Sequence, residues 1–281
     1  MIDVEIEPQP IEQLLPGEPG GVMDAAVFVI DAGELRARTT SVGVPVMFLK
    51  GDLYKDGLKD GDAFAATVTI ERPTMTGRNV VGLLDNGKEN VVVIGAHLDN
   101  LGMGDEGSLH RGEPAIHNGA DDNASGIAVM LQLARDLAEM DQARANDYLF
   151  IAFSGEEEGL LGSMEYAMHA DRTKIDAVIN FESSPVWEES DSLFGVGARF
   201  STLEDLLVEI AKEEGVAYEE FSMSDQGFFY RSDQYPFATH GIPAIWISAG
   251  ERFRSGTNRL RDFFTGDYHT PRDEFDPAWD L

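Results

Sequence analysis

From Asn79 onward the chain repeats a strand, loop, helix, strand rhythm, and its first strand constrains the fold most. Val91-Val92-Val93-Ile94-Gly95 is an unbroken apolar run, the pattern of a strand buried on both faces of a largely parallel sheet. Ile127, Met130, Leu131, Ala134, Leu137 and Ala138 follow at helical spacing and form one apolar face. Tyr148 to Ser154 reads as the next strand, Leu160 to Ala170 as a helix, and Ala177 to Phe181 as another strand. The pattern predicts an α/β three-layer sandwich, with a mostly parallel central sheet and helices on both faces.

Residues 1–71 have a different texture. Short β-rich runs at Ala25 to Ile30, Val44 to Leu49 and Ala66 to Ile70 are separated by Gly, Asp and Pro, with no long amphipathic helix. We expect a small β-rich segment at 1–71 and the main domain at 72–281.

Open α/β sheets bind ligands beyond the carboxyl ends of their strands. Five segments put carboxylates or imidazoles there: Gly95-Ala96-His97-Leu98-Asp99, Gly119 to Gly126, Ser154 to Gly159, Ile179-Asn180-Phe181-Glu182 and Tyr268-His269-Thr270-Pro271. Two imidazoles and several carboxylates suit a pair of zinc-like ions in a chain without cysteine. If its strand runs on past His97, Asp99 faces the same side and can accept the second ring N–H of a metal-bound His97. Asp122 stands among small residues before a helix, where its two oxygens could bridge two cations; the same loop could equally end in a plain helix cap at Asn123 or Ser125. Within Glu156-Glu157-Glu158, neighbouring carboxylates at a strand end can diverge, one to a metal and one to a water.

Composition excludes other classes. A net charge of −30 argues against a nucleic-acid partner, because phosphate backbones are held by clustered Lys and Arg. No segment approaches the ~20 apolar residues of a membrane span, and the absence of cysteine removes disulfides and thiolate chemistry. Met1 to Glu7 lacks the basic and apolar regions of a signal peptide. No glycine loop cradles a phosphate, so no cofactor beyond metal is implied.

From about Asn79 to Asp273 the chain resembles the zinc aminopeptidase family that also contains glutamate carboxypeptidase and glutaminyl cyclase. The resemblance rests on Gly-Ala-His-Leu-Asp at 95–99, Gly-Ala-Asp-Asp-Asn-Ala-Ser-Gly at 119–126, Glu-Glu-x-Gly-Leu at 156–160, Ser-Asp with Pro-Phe then Gly-Ile-Pro at 232–243, and Tyr-His-Thr-Pro at 268–271. It implies two zinc ions per chain, His97 and Glu182 holding one, Glu157 and His269 the other, and Asp122 bridging them. Glu156 would be the general base, Asp99 would orient His97, and the Asp122–Asn123 peptide would be cis. The implied substrate is a peptide with a free terminus. Glu182 stands where the aminopeptidases often carry Asp, and Gln234 where relatives often carry His.

The resemblance also implies that residues 1–71 are the remnant of a protease-associated domain, that the closing helix usual in the family is missing after His269, and that the protein is exported, with a cytoplasmic location as the alternative. Aminopeptidase leads over carboxypeptidase or dipeptidase, a glutaminyl-cyclase-like acyltransferase and a non-catalytic binding homologue. Glu156, Glu182 and Asp233 are candidates for a free α-amine; Arg252, Arg254, Arg259 and Arg261 would suit a free carboxylate if they do not pair with surface acids. His110, His117, His169 and His240 are expected to be structural or exposed, and Phe228, Phe229 and Tyr230 to line a specificity pocket or pack in the core.

Overall fold

The computed structural model describes residues 2–8, 26–29, 46–49 and 64–70, and 76–281 apart from 105–106, 142–143, 186, 278 and 280–281. The chain divides into two compact units, Met1–Met75 and Thr76–Leu281. In the first, strand β1 (Ile2–Pro8) pairs antiparallel with β4 (Phe64–Ile70), and β2 (Ala26–Val29) pairs in parallel with β3 (Val46–Leu49).

The second unit is built on a seven-stranded sheet. Its strands are β5 (Val80–Leu84), β6 (Val91–His97), β7 (Asp147–Phe153), β8 (Ile175–Asn180), β9 (Ser192–Val196), β10 (Ala217–Tyr218) and β11 (Ala244–Ala249), in the spatial order β10-β9-β11-β8-β6-β7-β5. The four central strands β11, β8, β6 and β7 are mutually parallel. Antiparallel pairing is confined to β11 with β9 and β5 with β7. The carboxyl ends of the four central strands therefore share one edge.

Side-chain alternation sorts the core into two faces. Val93, Ile151, Phe153 and Val178 point one way, into a cluster with Ala167 of helix α2 (Leu161–His169) and Phe237 of α4 (Gln234–Thr239). Ile94 and Ala96, one register position on, point the other way to Met130 and Leu137 of α1 (Gly126–Glu139). Ile245 meets Leu207 of α3 (Leu203–Glu214). Helices thus cover both faces of the sheet, the expected three layers. Beyond β11, Trp187, Phe194, Phe221, Phe228 and Trp246 join Phe263 of α5 (Arg259–Gly266) in an aromatic cluster that reaches the sheet edge.

Phe237 is fully buried, its ring 6.0 Å from Phe153 and 6.1 Å from Tyr166. Phe237→Ala is expected to remove about 3–5 kcal/mol of stability through the cavity it leaves; a lower urea midpoint with an unchanged slope would show it.

Candidate metal centre

Each of the five segments arrives at the shared edge. His97 is the last residue of β6, Glu156 and Glu157 follow β7, and Glu182 follows β8. Asp122 lies in the loop entering α1, and His269 follows α5. Two donor clusters result, His97 with Glu156 and Glu182, and Asp122 with Glu157 and His269; within each, one ligand atom per residue lies within 4.8 Å of the others. Asp122 connects them. Its Oδ1 is 3.1 Å from His97 Nε2 and its Oδ2 is 3.4 Å from His269 Nε2, while Glu157 Oε2 lies 3.2 Å from that same nitrogen.

Backbone carbonyls set the imidazoles. His97 Nδ1 donates to the Asp99 carbonyl at 3.0 Å, and His269 Nδ1 to the Gly107 carbonyl at 3.1 Å, which turns both Nε2 atoms toward Asp122. The expected contact between His97 and the Asp99 carboxylate is replaced by this main-chain one, since β6 ends at His97 and its side-chain alternation does not carry on to Asp99. The Asp99 carboxylate accepts instead from the amides of Gly155 (2.9 Å), Glu156 (3.2 Å) and Glu157 (3.3 Å). Asp99→Ala is therefore expected to loosen the Glu156–Glu157 loop. Three amides would lose a charged acceptor whose bonds are worth about 1.5–3 kcal/mol each when buried; a lower melting temperature together with weaker zinc retention would report it.

Asp273 does the same for the other loop, accepting from the amides of Asp121 (2.7 Å) and Asp122 (2.9 Å). The peptide between Asp122 and Asn123 is cis. The capping alternative for this loop is also present: Asn123 Oδ1 accepts from the Gly126 amide at 3.1 Å. Gly126 has to be glycine, since a Cβ there would stand 2.2 Å from Asn123 Oδ1 and 2.6 Å from the Phe181 carbonyl. Asn100 donates to the Asp122 carbonyl.

Glu182 is held by Asn180, whose side-chain amide donates to Glu182 Oε1 at 2.7 Å and to Gln234 Oε1 at 3.1 Å. The Asp233 amide adds a bond to Glu182 Oε1 at 3.3 Å. Gln234, fully buried, thus supports Asn180.

The electrostatics show how much negative charge is gathered here. Burial pushes the Glu156 carboxyl well above the ordinary range; His97 opposes, and Glu182, Asp233 and Glu157 add to the rise. Burial likewise lifts Glu182 to about 8 against the pull of His97, and raises Glu157 against its bond to His269. Burial alone would depress both imidazoles, yet the surrounding carboxylates overcome it. His97 is raised well above its usual value by Glu156, Asp122 and Glu182, and His269 to about 10 by Asp122 and Glu157. Asp122 is driven far down: its burial is outweighed by hydrogen bonds from the two imidazoles and by their charge. So many carboxylates gathered away from water give the site a strong negative field, which divalent cations would offset. The buried Glu157 Oε1 has no hydrogen-bond partner, as suits a metal-facing oxygen. The donor set, nitrogen and oxygen without sulfur, fits zinc.

A pocket opens on this cluster, lined by Ser183, Phe228, Arg231, Ser232, Trp246, Phe264 and Tyr268 together with His97, Asp122, Glu156 and Glu182. Tyr268 stacks on His269, ring centroids 3.8 Å apart. Of the aromatic run, Phe228 alone reaches the pocket; Phe229 packs on Phe200 and Tyr235, and Tyr230 is exposed. The arginines before His269 lie elsewhere. Arg252 pairs with Glu219 at 2.8 Å, Arg254 with Glu189, Arg259 with Glu188 at 4.0 Å, and Arg261 is exposed. Asp233 is buried beside Glu182 rather than lining the pocket. His117 is a buried structural residue, bonded to Ser108 Oγ and the Ala115 carbonyl. His169 pairs with Glu165 on the surface, His240 bonds the Pro236 carbonyl, and His110 is exposed.

A mostly parallel α/β sheet presents two histidine–carboxylate clusters, joined by one aspartate, beyond its carboxyl edge, a donor set that could hold divalent metal. The chain belongs to peptidase family M28, whose model matches residues 79–281. Among curated relatives, aminopeptidase YwaD of Bacillus subtilis is 28% identical over 252 residues, covering 84% of this chain and 47% of that protein; this chain thus spans about half the length of that relative. Among solved structures, an aminopeptidase from Aneurinibacillus sp. strain AM-1 has a TM-score of 0.54 at 23% identity, over 89% of this chain and 57% of the other. A zinc aminopeptidase from Bacillus subtilis has a TM-score of 0.52 at 24% identity, over 76% and 48%. These similarities establish the shared fold.

Proposed function

We propose that the protein is a zinc-dependent exopeptidase that removes N-terminal residues from peptides, with two zinc ions per chain. The observation that carries this reading is Asp122, whose two carboxylate oxygens face two different imidazoles. His97 and Glu182 would hold one ion, Glu157 and His269 the other, and Asp122 would be shared. When bound, the zinc pair would polarise the scissile carbonyl and lower the pKa of a water.

Glu156, lining the pocket next to His97 and Glu182, then takes the proton of the attacking water and delivers it to the leaving amine. Asp99 fixes this base through the backbone amides of its loop rather than through the histidine. Acidic groups around the pocket also suit a substrate's free α-amine, and favour aminopeptidase over carboxypeptidase; family membership and the relatives' names support the same choice.

Residues 1–71 belong, on this reading, to a protease-associated domain, and their two small sheets are in keeping with its β-rich character. No helix of the described residues is long and apolar enough to cross a membrane. Export is the location the reading favours, and fractionation of the producing cell tests it.

The function is tested by elemental analysis with a leucine anilide assay. The zinc-equilibrated chain is expected to retain two zincs and release the anilide, lose both on chelation, and regain both with added zinc. A chain holding two zincs that cleaves no aminoacyl or dipeptide substrate would overturn the assignment.

A further inference from the structure

Arg231 ends the short turn Phe228–Arg231 and lines the pocket over the metal cluster. Among the described residues, Arg199, Arg252, Arg254, Arg259 and Arg272 each pair with a carboxylate. Arg78, Arg111, Arg135, Arg172 and Arg261 lack such a pair but are exposed to water, and Arg144 bonds Asn86 and two backbone carbonyls. Arg231 does neither: among the described residues no ion pair includes it, and its Nε is buried without a hydrogen-bond partner. A buried guanidinium nitrogen left unbonded is costly, so its retention points to an anion that arrives from outside.

The surroundings narrow what that anion is. The guanidinium carbon lies over the Phe228 ring, 4.6 Å from its centre, a cation–π contact that favours keeping the group at the pocket wall. Phe228, Trp246, Phe264 and Tyr268 line one part of the pocket, and Ser183, Ser232 and the carboxylates of Asp122, Glu156 and Glu182 line the rest, leaving Arg231 as its one cationic side chain besides His97. Arg231 is also close in sequence to Asp233, whose amide bonds Glu182. A planar fork next to the reacting centre matches a carboxylate in two-pronged geometry.

We propose that Arg231 reads a carboxylate on the substrate. This rests on the peptidase reading and narrows its substrate class. The carboxylate is either the acidic side chain of the N-terminal residue or the free α-carboxylate of a dipeptide, and the experiment separates the two.

The full chain carrying Glu156→Gln, to slow turnover, is loaded with zinc and titrated calorimetrically with two ligand pairs. Glutamic acid α-amide against glutamine α-amide reports a side-chain carboxylate, and Leu-Gly against Leu-Gly amide reports an α-carboxylate. The acidic member of one pair is expected to bind about tenfold tighter or more. Adding Arg231→Met should erase the preference and Arg231→Lys should keep part of it, at unchanged zinc content. The pair that responds names the source. No preference in either pair, or a preference that survives Arg231→Met, overturns the proposal. A chain that shows the Arg231-dependent preference but whose native form cleaves no peptide would refute the peptidase reading and leave this one standing.

Discussion

Glu156→Gln is expected to keep two zincs per chain and lose turnover by on the order of 100-fold or more, the usual worth of a positioned general base. Gln preserves the volume and polarity of the side chain but cannot accept a proton from water. The experiment also decides between two roles the geometry leaves adjacent. A Glu156 oxygen lies within 4.8 Å of ligand atoms of His97 and Glu182, so Glu156 could in principle complete that ion's coordination. As a base it is dispensable for metal; as a ligand it is not. Zinc content falling to one per chain would reassign Glu156 as a ligand, and near-full activity with both zincs present would remove it from the mechanism.

Asp122→Ala is expected to have the larger effect on the metals themselves. Loss of a group that merely orients a ligand typically costs 10–100-fold in metal affinity. Asp122 faces both imidazoles directly, at 3.1 Å and 3.4 Å, so its loss should weaken zinc by more than about 100-fold and leave at most one ion per chain after removal of free metal. Activity should fall with it, and added zinc should not restore it at concentrations that saturate the native chain. Retention of two zincs by the variant would show that each cluster holds its ion independently, and the shared role of Asp122 would be wrong.

That these residues meet at one edge of the sheet is legible in the chain, because each strand end announces itself locally. An apolar run such as Val91 to Ala96, followed at once by His97, says where the strand stops and what it carries. Other features were not readable, for physical reasons. Strand β9 is only Ser192–Val196, and its neighbour β10 only two residues; runs so short carry little periodicity. The Asp99 contact was misassigned at the level of atoms, since two-residue spacing puts side chains on one face only while a strand continues, and β6 ends at His97. Asp273 could have been noticed, standing four residues past His269 in the last motif, but nothing in its own neighbourhood says that its oxygens collect the amides of Asp121 and Asp122.

Gln234 stands where the resemblance led us to expect histidine, and its part became clear only with Asn180 and Glu182 in view. Arg231 follows a run of aromatic residues that read equally well as core, and nothing in its sequence sets it apart from the arginines nearer His269. Pairing, which decides whether a cation is available, is a property of the folded surface and not of local sequence.

Asp99 and Asp273 grip the two ligand loops by their peptide nitrogens and leave the side chains of those loops alone. Every residue except proline offers the same nitrogen, so the scaffold is blind to what the loops display. Chemistry and support are therefore separable: side chains at 122, 156 and 157 can be exchanged to suit another cation or another reaction while the amides that the two carboxylates hold stay in place. A designer wishing to repurpose this sheet edge would leave the two clasps untouched and rewrite only what they hold.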